Sequence, residues 1–367
     1  MNIQVGRDAA LAESKKRLVS GHYVRNAWYV AGWSDDLGDG GVLGRTILKE
    51  PVVLYRQDNG EVAALEDRCA HRFAPLSMGK VLNGDRIQCP YHGLEFDPSG
   101  ACVHNPHGNK AIPSRARVKS YPVTEKHKAI WIWMGDKAAD HSKVPNFSVL
   151  DNVPELYWTK RDRITIKANY ELIIDNLLDL SHTAFLHDGL LGNSDTVESD
   201  ITVDIEGDDI IVGRISHNAT PPGMNKLMWP KAPERVDKYA DIRWMAPSTL
   251  LLRTGICKTD AKPDSGTGYH GVHLLTPETD RTTHYFFTAV RYNVQTTDEA
   301  LNREIQEKIA KMRRFAFEEQ DAPVIEAQQR IIDESQTTVD PLTLAIDVGP
   351  VRYKQVLQKL IRAEQAR

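Results

Sequence analysis

Two short groupings of cysteine and histidine stand out in a chain with only four cysteines, Cys69, Cys89, Cys102 and Cys257. One residue separates Cys69 from His71, two separate Cys89 from His92, and seventeen lie between the pairs. Thiolate and imidazole both bind zinc, and two of each form a common structural zinc set. Zinc fingers, however, usually pair cysteine with cysteine and histidine with histidine. The mixed pairing suits a two-iron cluster, in which one iron takes both thiolates and the other both imidazoles. A neutral imidazole in place of an anionic thiolate raises the potential, so such a centre accepts electrons from a low-potential carrier.

A one-electron centre needs a sink. Asp175, Asp179 and His182 fall at i, i+4 and i+7, and the apolar spacing of residues 168–187 predicts a helix that would align them on one face. His187 comes five residues after His182, about 140° further round an ideal helix. Both imidazoles then reach one ion only where the helix distorts or ends between them, a π-type bulge being one such device. Two histidines and a carboxylate make the facial triad of non-haem Fe(II) oxygenases, which leaves positions open for O2 and substrate. Glu318, Glu319 and Asp321 are the candidate carboxylates, and spacing does not choose among them. Pro323 predicts a kink just beyond.

The elements that must position these residues change character along the chain. At 367 residues, two domains are expected. Residues 1–20 read as a polar, partly helical lead-in. Residues 21–140 read as short strands broken by turns at Asn59-Gly60, Asn83-Gly84 and DPSG, closing on a strand in which Ile130, Ile132 and Met134 alternate with Trp131 and Trp133. Residues 141–367 mix helical patterns at 168–187, 297–335 and 351–367 with strand-like runs, including a turn near Gly207-Asp208, which makes this half α+β. Composition is that of an ordinary globular protein, 41% hydrophobic and 26% charged. A net charge of −4 leaves no basic footprint for nucleic acid. No apolar run is long enough for a membrane span, and the opening residues lack the apolar core of a secretory signal. With two of four cysteines paired to histidine, a reducing cytoplasm is the expected setting. No G-x-G-x-x-G fingerprint occurs, so dinucleotide chemistry is expected on another chain.

The segments RCAHRFAPLSMGKV and IQCPYHGLEFDPSG closely resemble the Rieske signature of aromatic-ring oxygenases, and ELIIDNLLDLSHTAFLH resembles their iron-binding helix, D-x-x-H-x-x-x-x-H. The wider text (HY-x-R-x-AWYVAGW, RWMAPSTLLLRTG, EEQDAPVIEAQQ) resembles the vanillate O-demethylase and dicamba monooxygenase branch of these Rieske non-haem iron oxygenases over most of residues 20–335. The resemblance implies an all-β N-terminal Rieske [2Fe–2S] domain and a C-terminal helix-grip (START-like) catalytic domain with an antiparallel sheet and long helices. It assigns Cys69, His71, Cys89 and His92 to the cluster and His182, His187 and Asp321 to a mononuclear iron. Asp179 becomes the acid linking a metal histidine to the cluster of the adjacent subunit, and Asn176 a residue near the iron. Met245, His273 and Met312 fall at substrate-pocket positions, with core packing the alternative for the methionines. Also implied are a homotrimer, a separate reductase or ferredoxin delivering electrons from NADH, and O-demethylation of a methoxylated aromatic acid with O2, giving a phenol and formaldehyde. Ring hydroxylation or dihydroxylation is the rival within the family, and a zinc-stabilised, non-catalytic ligand-binding protein the rival outside it. Arg243, Arg253 and Arg291 are available to bind an aromatic acid, and Arg68 and Arg72 to dock an acidic electron donor. His104, His107, His141, His270 and His284 read as structural.

Overall fold

The computed structural model describes residues 2–366, with side chains from residue 8 onward. The chain forms two compact units: Arg25–Asn146 with Thr276–Thr279, and Phe147–Leu275 with Asp280 to the C-terminus and the segment before Arg25. The opening segment, the helix Asn2–Leu18, thus belongs with the second unit rather than standing apart; Met1 lies outside the described residues.

The first unit is all β, with one three-stranded and two four-stranded antiparallel sheets. The turns anticipated from sequence are present: Asn83, Gly84, Gly60 and Gly100 all take positive φ. Gly100 is obligatory, since a Cβ there would lie 2.1 Å from the Val118 carbonyl oxygen. The strand Ala129–Met134 alternates isoleucine and methionine with tryptophan, and all six residues are buried. It lies between Ala27–Trp33 and Val123–Lys126, and Trp131 and Trp133 are covered as fully as the isoleucines on the other face.

The second unit is α+β. Its sheet has seven antiparallel strands in the order Asp162–Ile166, Thr282–Tyr292, Thr267–Thr279, Thr249–Lys258, Val236–Met245, Asp209–Ala219, Asp200–Glu206. The C-terminal helix Val348–Gln365 packs on this sheet in helix-grip fashion. Tyr353 and Leu357 are fully buried, the Tyr353 ring sits 5.4 Å from that of Trp244, and a Cβ on Gly349 would meet Val212 at 2.5 Å.

The region read as one helix over 168–187 is in fact two pieces. Asn169 caps Tyr170–Leu178 by accepting from Glu171 N; Asp179 then leaves helical geometry (ψ 89°) and caps a 3-10 turn, Leu180–Ala184. The late helix, by contrast, does not end near Pro323. Glu299–Phe315 passes through a π turn at Ala316–Asp321 into Ala322–Glu334. The wider turn accommodates a residue that has no N–H and clashes with the carbonyl of the preceding turn.

Two acids, the buried Glu171 and the half-buried Asp175, anchor the shorter helix. The Glu171 carboxylate accepts from Ser20 N (2.8 Å) and Ser20 Oγ, and Asp175 pairs with Lys354 Nζ at 2.7 Å. Burial raises the Glu171 carboxyl from 4.5 to about 7, and that of Asp175 to about 6. A raised native pKa means that the folded state holds the proton more tightly than the unfolded chain. The stabilisation from Glu171 is complete below pH 4.5 and is lost as pH rises through about 7. Glu171→Gln keeps both acceptor bonds and cannot ionise. In thermal unfolding at about pH 5 and about pH 8, the wild type should lose more stability than E171Q, by on the order of 3 kcal/mol.

Candidate functional site

The two cysteine loops share one backbone plan. Cys69 N donates to Ala74 O (2.9 Å) and Phe73 N to Cys69 O (3.0 Å), while Cys89 N donates to Leu94 O (2.8 Å) and Gly93 N to Cys89 O (3.1 Å). The residue four past each cysteine turns left-handed, with φ 60° at Phe73 and 70° at Gly93. Glycine does this freely; phenylalanine does so only under constraint. The exposed Phe73 ring lies 5.0 Å beneath the Arg68 guanidinium, which also pairs with Glu66 at 2.8 Å. Arg72 is exposed.

The donors are sorted by depth. Both thiols are buried in a core with Val53, Leu65, Leu76, Ile87 and Phe96, whereas the His71 and His92 rings lie outward, 4.7 Å apart. Burial, reinforced by the neighbouring Cys89, pushes the Cys69 thiol up to about 11, so its thiolate needs a cation beside it. Among the described residues, one set of three or more histidine, cysteine or acidic donors lies within 4.8 Å of one another, and it is His182, His187 and Asp321. A single tetrahedral zinc would take all four donors at one point; a two-iron body separates the thiolate pair from the imidazole pair, in keeping with the different depths of the two pairs. His107 Nε2 meets the His92 carbonyl at 2.8 Å, a contact that its sequence position gave no reason to expect.

At the second site, Asp321 Oδ1 lies 3.2 Å from His187 Nε2 and 3.6 Å from His182 Nε2. The break at Asp179 lets both rings point one way, and the π turn delivers Asp321 from the other helix. Each histidine has its tautomer fixed from behind. His182 Nδ1 donates to the Asp179 carbonyl and His187 Nδ1 to Gln320 Oε1 (2.8 Å), so both Nε2 lone pairs face the shared space. Burial holds the His182 imidazole below its usual pKa; burial acts on His187 too, but the Asp321 carboxylate outweighs it and the net shift is upward. Asn176 Nδ2 donates to Asp321 Oδ1 at 3.1 Å.

Of the competing acids, Glu318 pairs with Arg314 at 2.6 Å and Glu319 is exposed. Asp175 turns to Lys354 rather than sharing a face with His182. Asp179 touches His182 through its backbone carbonyl, while its carboxylate caps Ser181 N at 3.0 Å. Gln320 escaped the sequence reading, its only signal being its place beside Asp321. Partners that orient metal-binding imidazoles are worth about 10–100-fold in metal affinity. Gln320→Leu should weaken iron binding by that factor with cluster content unchanged, as read by titrating iron into the metal-free triad.

A cavity adjoins the triad, and His182, His187 and Asp321 form part of its wall. Leu177, Leu180, Leu191, Ile242, Leu252 and Phe317 supply apolar wall, and Asn225, Lys238, Tyr269, His273 and Arg313 supply polar groups. Of the three anticipated pocket residues, His273 lines it and the two methionines do not. Met245 ends its strand in the core, and Met312 is one position round the helix from Arg313, which shares a cavity-facing stripe with Phe317 and Asp321. Nor do the three anticipated arginines line it: Arg243 pairs with Glu206 and Asp209, Arg253 with Asp264, and Arg291 bonds Asn302.

Comparison with known proteins follows this division. Residues 27–122 match the Rieske [2Fe-2S] domain and residues 166–363 the vanillate O-demethylase oxygenase C-terminal domain. The dicamba O-demethylase oxygenase component of Stenotrophomonas maltophilia is 38% identical, over 94% of this chain and 99% of that protein. The chloroacetanilide N-alkylformylase oxygenase component of Rhizorhabdus wittichii is 35% identical, over 93% and 97%. The crystal structure of dicamba monooxygenase bound to 3,6-dichlorosalicylic acid superposes with a TM-score of 0.87 at 37% identity, covering 94% of this chain and 99% of that one. The chain belongs to the Rieske oxygenase family, in the branch that carries the vanillate O-demethylase oxygenase C-terminal domain. It is a Rieske-type, oxygen-using oxidoreductase whose N-terminal domain is of the [2Fe–2S] kind.

Proposed function

We propose that this chain is the terminal oxygenase component of a multicomponent monooxygenase that O-demethylates a methoxylated aromatic compound to a phenol and formaldehyde. The observation that carries the reading is a two-histidine, one-carboxylate triad opening onto a largely apolar cavity with a few convergent polar groups. Cys69, His71, Cys89 and His92 hold the cluster, and His182, His187 and Asp321 hold the iron. When bound, the two centres supply single electrons and O2 activation respectively.

The chain's own residues do the positioning. Gln320 and the Asp179 carbonyl keep both Nε2 atoms unprotonated toward the ion. The Asn176 amide holds one Asp321 oxygen in place, and the leucine-lined wall excludes water from an aryl ring beside the triad. Asp179, partly exposed at the helix break, links to the cluster of an adjacent subunit in a homotrimer. NADH is oxidised by a separate cytoplasmic reductase, directly or through a ferredoxin. Among the described residues no helix is long and apolar enough to cross a membrane.

A panel of methoxylated arenes, supplied with a surrogate reductase, tests the reaction. Formaldehyde release supports demethylation; a cis-diol from an unsubstituted arene overturns it in favour of ring dihydroxylation.

A further inference from the structure

We propose that the cavity selects arenes bearing a full negative charge, a carboxylate or a sulfonate, and that Arg313 is the residue that receives it. The inference rests on reading this cavity as the substrate pocket of the oxygenase and on the expectation of an aromatic acid, and adds the residue that reads the charge.

Arg313 is 2% exposed, it lines the cavity, and both its terminal nitrogens are buried without a hydrogen-bond partner. The next residue shows how unusual this is: Arg314 pairs with both Asp162 (2.9 Å) and Glu318 (2.6 Å). Buried charges are ordinarily paired, because an unpaired one loses its hydration with nothing in return. Arg313 is held instead by aromatic faces, with Tyr269, Phe287 and Phe317 at 5.7, 5.7 and 5.3 Å from its guanidinium carbon. Contacts of that kind steady the cation through its face and leave the N–H fork free. The planar fork matches the two oxygens of a carboxylate and the oxygens of a sulfonate.

The charge balance of the lining points the same way. Lys238 is a second cation in the wall, and the one carboxylate there is Asp321, already engaged with His182 and His187. A divalent ion on the triad would add to the positive excess rather than offset it. His273 presents a further buried nitrogen without a partner, Nε2, while its Nδ1 meets the Tyr285 hydroxyl. Burial and the nearby Arg313 keep this imidazole neutral, which suits it to a hydrogen bond with the ligand rather than to a third charge.

The test is equilibrium binding to the metal-loaded full chain, with matched pairs of probes: 3-methoxybenzoate against 3-methoxybenzamide, and toluene-4-sulfonate against toluene-4-sulfonamide. The wild type should bind at least one anion ten-fold or more tightly than its amide, and the tighter anion identifies carboxylate or sulfonate as the charge. Arg313→Met, which keeps the stem and removes the charge, should abolish that preference without lowering the melting temperature. Equal binding of anion and amide, absence of binding by either anion, or an unchanged preference in R313M overturns the proposal. If R313M does not fold, Arg313→Lys decides: a preference reduced at least three-fold supports the assignment, and an unaltered one overturns it. The two readings fail separately. Formaldehyde from neutral methoxyarenes alone removes the anion assignment and leaves demethylation intact. Arg313-dependent anion binding with no formaldehyde from any bound methoxyarene does the reverse.

Discussion

Replacing His182 with alanine should eliminate turnover, by on the order of 10³-fold or more, while the visible spectrum of the cluster persists. The triad donors and the cluster donors have no residue in common, so damage to one centre spares the other's ligands. His182 is the better of the two histidines for this purpose. Its side chain is 20% exposed against 1% for His187, so its removal leaves little void. His187→Ala should be equally inactive but less stable as well, by about 1–3 kcal/mol, since it leaves Gln320 without its partner in a packed interior. Iron content, cluster absorbance and melting temperature, measured on both variants, separate the two effects. Loss of the cluster in H182A would mean that the two sites have been assigned to the wrong centres.

Cys89→Ser should have the opposite signature, with bleaching of the cluster and retention of iron binding at the triad. The thiol is 2% exposed in the core beneath the loops, and each loop is closed by its own turn hydrogen bonds while the cluster ligands come from both. Removing one ligand removes the cation that makes a second buried thiolate, Cys69, tolerable. Turnover with any reductase should be undetectable and the melting transition of the Rieske unit should fall. A colourless wild-type protein containing zinc and no acid-labile sulfide would contradict the cluster assignment itself.

How legible the molecule was from sequence depended on how local each feature is. The cluster ligands sit two to a loop, so short spacing in the chain equals short spacing in space. Asp321 reaches the histidines from 134 residues beyond His187, through packing of one helix on another, and no local spacing could single it out from Glu318 and Glu319. The spacing of His182 and His187 calls for a distortion or an end between them, but the break at Asp179 was hidden because apolar residues continue at helical intervals. Its signal lay in the polar residues instead: an aspartate two before a serine caps a new turn more readily than it continues a helix. Pro323 marked the right place in the late helix but not the device, since a π turn and a kink both relieve the same clash.

Strand parity explains the misplaced arginines. Lys238, Ala240 and Ile242 line the cavity on one strand, Leu252 and Thr254 on the next. Arg243 and Arg253 are of opposite parity and therefore face the other side of the sheet. Knowing one cavity residue on each strand would have excluded both. Arg313 carries no such signal, since nothing in the local spacing distinguishes it from Arg314 beside it.

The most direct test of the central claim is a single turnover without any reductase. The protein is reduced chemically, freed of reductant, mixed with a bound methoxylated aromatic acid, and exposed to ¹⁸O₂. Formaldehyde and the demethylated phenol should appear together, at up to one per triad iron, and neither should form in H182A. A hydroxylated ring with its methoxy group intact, or no product from a protein replete in cluster and iron across the methoxyarene panel, would contradict the account.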